Sequence, residues 1–190
     1  DAITDNLLHF FITEDGGQHW TNVTRNLETS AGDKYYHWMT ISKLEIDPND
    51  PHTVYIGFSN FIHSNLNQPD IYVGTKRVAK ITFTPPALNY PIVYSGDYLE
   101  DFSTGLTEFP INDLLIDKVT NHLYAATDVG VFRRDLGNQN SVWECFNKGM
   151  PVAIVTDLEI QYCNAQLHAA TFGKGLYSLE LDHGHGSAMG

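Results

Sequence analysis

The stretch that decides the fold is VTDLEI at 155–160, followed shortly by LHAAT at 167–171. The same arrangement, INDLLI at 111–116 and LYAAT at 123–127, begins 44 residues earlier in the chain. In both copies an apolar-x-x-Leu-x-Ile segment is followed by a polar turn and then by a segment of small and apolar residues. Apolar residues alternate with polar or small ones, which predicts β-strands. The sequence therefore contains a repeated pair of strands.

A third copy extends the repeat toward the N-terminus. It consists of ISKLEI at 41–46 and VYIG at 54–57, and it starts 70 residues before the copy at 111–116. The 44-residue spacing of the other two copies matches the ~40–45-residue period of a four-stranded propeller blade. The longer spacing indicates that the first unit carries an insertion of roughly half a blade. The sequence shows no amphipathic helical pattern of useful length.

We therefore predict an all-β fold, namely a β-propeller segment of about three and a half four-stranded blades. The strands of a blade are named a to d from the axis outward. The predicted strands are 7–13 (c) and 18–24 (d) in the first blade, 41–46, 53–58, 78–83 and 92–98 in the next, 111–116, 122–127, 130–134 and 141–146 in the third, and 154–160, 166–171 and 175–181 in the last.

These strands define the predicted domain organisation. The boundaries are a partial first blade at 1–26, a blade at 27–104, a blade at 105–147, a partial last blade at 148–182 and a tail at 183–190 that resembles vector-derived sequence. The segment thus starts and ends within a blade. Exposed blade edges invite strand pairing, so we expect either the remaining blades of a parent propeller or self-association.

Composition narrows the class of protein. The chain has 190 residues, with 23 acidic against 11 basic side chains and a net charge of −12. This charge argues against a nucleic-acid partner, because such proteins need basic surface to displace counterions. A hydrophobic content of 42% argues against disorder. No run of ~18 apolar residues occurs, so we predict no membrane span.

A glycine-containing turn lies between the two predicted strands of the first blade. It has the sequence TEDGGQHW and starts at Thr13. Asp15 is suited to accept hydrogen bonds from backbone amides of its own turn. Gly16 and Gly17 permit the positive φ angles of a tight hairpin. Trp20 is predicted to cover the sheet or a neighbouring blade with its large apolar ring.

This turn resembles the Asp-box, or BNR repeat, whose pattern is Ser/Thr-x-Asp-x-Gly-x-x-Trp. A decayed copy with a longer turn extends from Arg134 and Asp135 to Trp143. The segments LEIDPNDPHTVY from Leu44 and AATFGKGLY from Ala169 are also similar to Asp-box propellers. The relatives are xyloglucanase-like glycosidases, sortilin-type domains and the C-terminal blades of large secreted proteins of Bacteroidetes-type bacteria.

The resemblance covers about nine-tenths of the chain. It implies a propeller fold and a secreted or cell-surface location, while this scaffold carries hydrolases, receptors and passive modules alike. In such propellers the c–d turns lie opposite the usual ligand-binding mouth. The Asp-box at Thr13–Trp20 is therefore interpreted as a structural turn.

The candidate ligand-binding residues lie in the d–a and b–c loops that would line the mouth. Aromatic faces beside amides and carboxylates suit sugar rings, although the same aromatic residues are equally suited to packing long loops onto the body. The candidates are Tyr35, Tyr36, His37, Trp38, Phe61, His63 and Asp70.

Catalytic residues are not identified by the sequence. A glycosidase needs two carboxylates about 5–10 Å apart. Suitable residue types occur at Asp70, Glu100, Asp101, Glu108 and Asp113, but an acidic chain supplies such pairs by chance. A sialidase-type arginine triad is rejected because the arginines are few and two of them are adjacent, at positions 25, 77, 133 and 134.

Neither a cofactor nor a metal site is predicted. Cys145 and Cys163 lack metal-ligand spacing, and we expect them to be reduced or buried thiols on different blades. His168 is interpreted as a packed core or channel histidine. The segment DPNDP at 47–51 lacks the ligand number of a calcium loop and is interpreted as a plain turn.

The favoured function is a non-catalytic, glycan- or protein-binding module of a larger secreted or cell-surface protein. One alternative is a part of a xyloglucanase-like glycoside hydrolase whose cleft needs additional blades. The other is a sortilin-like receptor domain for proteins or peptides.

Overall fold

A computed structural model describes residues 11–22, 40–59, 77–83, 100–106 and 109–183 of the chain. The described part is all-β and consists of antiparallel sheets. A two-stranded hairpin, β1 (Phe11–Ile12) and β2 (Thr21–Asn22), lies within the predicted strands 7–13 and 18–24. Three larger sheets follow, and within the described residues they form no closed ring.

Each larger sheet is a meander in which neighbouring strands are consecutive in the chain. The first sheet contains β3 (Ile41–Asp47), β4 (Asp50–Phe58), β5 (Val78–Thr82) and β6 (Glu100–Asp101). The second sheet contains β7 (Ile111–Asp117), β8 (His122–Thr127), β9 (Gly130–Asp135) and β10 (Glu144–Cys145). The third sheet contains β11 (Val155–Gln161), β12 (Gln166–Thr171) and β13 (Gly175–Glu180), with a 3-10 turn at Tyr162–Asn164.

The strands agree with the predicted ones except at the fourth strand of the first sheet. The sequence predicts that strand at 92–98, which lies outside the described residues, whereas the structure pairs Glu100–Asp101 with β5. The fourth strand of the second sheet is confirmed within 141–146, but it is reduced to Glu144–Cys145.

The repeat seen in the sequence is also a repeat of local geometry. The first strand of every sheet contains a register shift at the same place, between Ile41 and Lys43, between Ile111 and Asp113, and between Val155 and Asp157. The leucine that follows then pairs with an equivalent residue of the second strand in each copy. Because a bulge reorients the residues beyond it, the shared bulge places the leucine of each copy on the same face of its sheet.

The three sheets are stacked face to face in chain order, with β3, β7 and β11 side by side. We call the face of a sheet toward the preceding sheet its leading face, and the opposite one its trailing face. The core between the first and second sheets contains Tyr55, Phe102, Leu114 and Ile116 among others. The core between the second and third sheets contains aromatic and aliphatic residues that include Tyr124, Val131, Leu158, Ile160 and Leu167.

Close approach of these sheets explains the small residues in the second strands. A Cβ atom added at Gly57 would lie 2.8 Å from Cγ2 of Ile111, a distance that neighbouring atoms do not tolerate. The equivalent residue of the second sheet, Ala126, is fully buried. A larger residue at position 57 would therefore clash with the first strand of the second sheet.

Hydrogen bonds join the first strands across both interfaces. Glu45 Oε1 accepts from the backbone N–H of Ile116 at 3.0 Å. Asp113 Oδ2 accepts from the backbone N–H of Leu158 at 2.9 Å, and its Oδ1 pairs with Lys43 Nζ at 2.9 Å. Buried carboxylates thus satisfy edge amides of the next sheet.

The two cysteines are free thiols. Cys145 lies on β10 and Cys163 lies in the 3-10 turn of the third sheet, so they belong to different sheets as predicted. Both are exposed rather than buried.

Candidate functional site

The ligand-binding residues predicted from the mouth loops lie outside the described residues. This applies to Tyr35, Tyr36, His37, Trp38, Phe61, His63 and Asp70. The same is true of Glu108 and Arg25. The following description therefore concerns other sites.

The turn at Thr13 has the local hydrogen bonds that its sequence predicts. Asp15 Oδ1 accepts from the backbone N–H of His19 at 2.9 Å, and Thr13 Oγ1 accepts from the backbone N–H of Gly17 at 2.9 Å. Gly16 and Gly17 have φ angles of 70° and 92°. The backbone and side-chain hydrogen bonds from His19 hold the pKa of Asp15 well below its usual value. These contacts stabilise the turn.

The prediction for Trp20 is wrong, and Trp143 has the role that was assigned to it. The Trp20 side chain is 61% exposed, whereas Trp143 is 3% exposed. Trp143 packs in the core between the first and second sheets. Its indole N–H donates to the carbonyl oxygen of Phe102 at 2.6 Å. The longer turn before Trp143 directs the ring inward onto the first sheet.

A row of three polar side chains crosses the trailing face of the first sheet. Tyr55 on β4 pairs in register with Lys80 on β5, which pairs with Glu100 on β6. Residues directly opposite in an antiparallel sheet point to the same face, so register alone brings the three together. Lys80 Nζ lies 3.7 Å from Glu100 Oε2. The row faces the outer part of the second sheet.

Arg134 of β9 approaches this row from the second sheet. Its guanidinium lies 3.4 Å from the ring centroid of Phe102 and donates to the Phe102 carbonyl at 2.9 Å. The side chain is 8% exposed, and among the described residues its Nε has no hydrogen-bond partner. Burial lowers the pKa of Arg134, while the nearby Glu100 carboxylate opposes that shift.

The row and Arg134 border a cleft of about 410 Å³ between the two sheets. Tyr55 and Phe102 lie buried at its base, with ring centroids 5.2 Å apart. Its polar wall is the turn between β9 and β10, which contributes the side chains of Asp135, Asn138, Gln139 and Asn140. The cleft therefore combines two cations, two carboxylates and three amides. It lies at the c–d turn end of the second sheet, away from the predicted mouth.

The second sheet carries a similar row on its own trailing face. Tyr124 pairs with Arg133, which pairs with Glu144, and Arg133 Nε lies 2.6 Å from Glu144 Oε1. Phe146 packs against Tyr124 with ring centroids 5.4 Å apart, as Phe102 does against Tyr55. The tyrosine–cation–glutamate row is thus part of the repeat.

The sequence holds a signal for this row that was not used. Glu-x-Phe occurs at Glu100–Phe102 and at Glu144–Phe146, again 44 residues apart. The next residue in each copy, Ser103 or Asn147, accepts the backbone N–H at the start of the third strand. This motif locates both fourth strands.

Other candidate residues have structural roles. Asp113 is buried between first strands, and Asp101 accepts the backbone N–H of Ser103. Arg133 and Arg134 contact different aromatic residues, Phe146 and Phe102, on opposite faces of β9, as predicted. His168 is not a core residue, because it lies partly exposed on the trailing face of the third sheet and bonds to Ser178.

The segment at 47–51 is the turn between β3 and β4, as predicted. Asp47 accepts a hydrogen bond from the backbone N–H of Asn49. Asp50 accepts hydrogen bonds from the backbone N–H of His52 and from the hydroxyl group of Thr53. In the described ranges, no three His, Cys, Asp or Glu side chains are grouped closely enough to hold a metal ion.

A buried Asp–His pair joins the end of the third sheet to the second sheet. His183 Nε2 lies 2.8 Å from Asp117 Oδ2, and Asp117 is fully buried. Burial would raise the pKa of Asp117, but hydrogen bonds from Thr120, from the Val119 N–H and from His183 together lower it. Residue 183, which the sequence places in the tail, thus contacts the body of the protein.

Comparison with protein-family models and with curated proteins gave no match to this chain. In the part of the chain that the structure describes, no helix has the length and apolarity to cross a bilayer.

Proposed function

We propose that the three stacked sheets are blades of an Asp-box β-propeller segment from a larger secreted or cell-surface protein. Support comes from the meander topology, from the side-by-side first strands and from the repeated bulge and tyrosine–cation–glutamate row. A four-stranded meander repeated about a common line of first strands is typical of propeller blades.

We further propose that this segment is a non-catalytic module that binds a glycan in the cleft between the first and second sheets. The observation that carries the proposal is the cleft itself, which is lined mainly by amide, carboxylate and cationic side chains. Sugar hydroxyls both donate and accept, and this set supplies both kinds of partner.

Isothermal titration with neutral oligosaccharides selected on a glycan array tests this proposal. Glu100→Gln removes a charged acceptor from the cleft, and we expect the Kd to rise about 10-fold or more. Glu144→Gln is the matched control, because Glu144 holds the same place in the second row but does not line the cleft. Equal affinities for both variants and the parent chain would contradict the assignment.

The mouth loops provide the competing location for glycan binding. Trp38→Ala changes the aromatic residue that the sequence assigns to that mouth. Loss of binding in Trp38→Ala with unchanged binding in Glu100→Gln would move the site to the mouth. Binding of peptides in place of glycans in the same titrations would favour the receptor alternative.

A hydrolase role has one specific observation in its favour, since Glu100 and Asp135 line the same cleft. A glycosidase needs a pair of carboxylates that flank the bond to be cleaved in its sugar-binding cleft. Release of new reducing ends from xyloglucan, abolished by both Glu100→Gln and Asp135→Asn, would support this alternative. Saturable binding with no release of reducing ends supports the non-catalytic module.

A further inference from the structure

The two interfaces between sheets share one type of hydrogen bond along their first strands. In each, a carboxylate of one first strand accepts a backbone N–H of the next, from Ile116 to Glu45 and from Leu158 to Asp113. The accepting side chains occupy the third or the fifth position of the repeat, and the donors occupy the fourth or the sixth. Each contact thus links a trailing face to the leading face of the following sheet.

The third sheet carries the same acceptors without a following sheet in the described residues. Asp157 stands at the third position of the repeat, as Asp113 does, and Glu159 stands at the fifth, as Glu45 does. Both are exposed, whereas Asp113 is 4% exposed. The exposed Leu176 of β13 lies on the same sheet. This trailing face therefore carries the same kind of acceptors as the trailing faces at the two interfaces between sheets, together with an exposed apolar side chain.

The first sheet presents the complementary surface. Leu44 and Ile46, at the fourth and sixth positions of the repeat, are 42% and 60% exposed. The equivalent residues of the second and third sheets are Leu114, Ile116, Leu158 and Ile160, and their exposed fractions are 0%, 5%, 3% and 6%.

We propose that the trailing face of the third sheet docks onto the leading face of the first sheet of a second copy. In this head-to-tail contact Asp157 and Glu159 accept the backbone N–H groups of Leu44 and Ile46. The inference rests on the sheet interfaces and does not depend on glycan binding. Two copies contribute three sheets each, and the resulting number lies within the roughly four to eight blades of closed propellers.

Head-to-tail contacts join unlike surfaces, so cross-linking between two differently marked chains can detect them. The turns at corresponding ends of neighbouring sheets touch, because Asn49 Nδ2 donates to Asn121 Oδ1 at 3.1 Å and Lys118 lies over the Tyr162 ring. The native Cys163 of one copy should therefore lie near Asn49 of the next. Asn49 is exposed, so its replacement spares the core.

The experiment mixes two chains of different tag length with a short bis-maleimide. One is Cys145→Ser, which keeps the native Cys163, and the other is Asn49→Cys with Cys145→Ser and Cys163→Ser. We expect a cross-linked product of both chains in the mixture and little product from either chain alone. Products formed equally by the separate chains would indicate a symmetric or random contact and would overturn the proposal.

Light scattering on the parent chain supplies the second measurement. We expect the parent chain to have a mass of at least two copies, each of 21.3 kDa. The variant Ile46→Glu should have the mass of a single copy. Val119→Glu is the matched control, since Val119 is also an exposed apolar residue, at 53%, but lies in the β7–β8 turn. A parent chain that stays at single-copy mass at all accessible concentrations, with no mixed cross-link, overturns the proposal.

Discussion

Two tryptophans in related sequence settings have opposite environments. Trp20 follows a turn closed by Asp15 and Thr13, and its ring is mostly in solvent. Trp143 follows a longer turn and is buried, with its N–H on the carbonyl oxygen of Phe102. Arg134 donates to the same oxygen, so one backbone carbonyl serves two buried donors. The motif alone therefore does not determine what the ring covers.

The contrast gives a matched pair of substitutions. Trp143→Ala removes a buried ring and the indole N–H that donates to the carbonyl oxygen of Phe102. We expect it to lower the free energy of unfolding by about 3–5 kcal/mol. Trp20→Ala should change it by no more than about 0.5 kcal/mol, as is usual for an exposed side chain. Urea denaturation followed by circular dichroism measures both, and equal losses would contradict the burial difference.

At the level of strands and sheets, the sequence predicts well wherever the repeat is regular. β7, β8, β9, β11, β12 and β13 follow from period-two alternation and the 44-residue spacing. The fourth strand predicted for the first sheet at 92–98 lies outside the described residues, and the insertion in that unit removes the spacing as a guide to the pairing of Glu100–Asp101 with β5. The cleft could not be predicted, since Tyr55, Lys80 and Glu100 come together only through register.

Carboxylates form hydrogen bonds between the first strands of neighbouring sheets. Asp113→Ala would leave the buried N–H of Leu158 and the ammonium of Lys43 without their partner. We expect a loss of about 2–4 kcal/mol in the free energy of unfolding. Glu180→Ala is the control, because Glu180 is an exposed acid of β13. A loss no larger than that of the control would show that the inter-sheet bond contributes little.

At the level of the whole molecule, the sheets are held by their faces, and the segment after β13 is fixed to the second sheet. His183 meets Asp117, and the Tyr162 ring stacks on the imidazole with centroids 6.0 Å apart. This contact spans the interface between the second and third sheets. It couples their association to the ionisation of Asp117.

The coupling has a defined direction. The pKa of Asp117 is lower in the folded protein than its ordinary value near 4, so its contribution to stability is complete above that value. The contribution is lost as the pH falls through the folded-state pKa. We expect Asp117→Asn to lower stability at neutral pH and to flatten its dependence on pH below about 4. Urea midpoints across that range measure this, and parallel curves for both proteins would contradict it.

The meander order of the sheets has a consequence for how the chain folds. Every strand of a larger sheet pairs with its immediate neighbours in sequence, so each sheet can form from one continuous stretch. Such local pairing shortens the loops that must close before contacts form. During synthesis the first sheet can be complete before the second emerges, and Glu45 is then in place to capture Ile116. The chain is thus suited to assembly one sheet at a time, from the N-terminus onward.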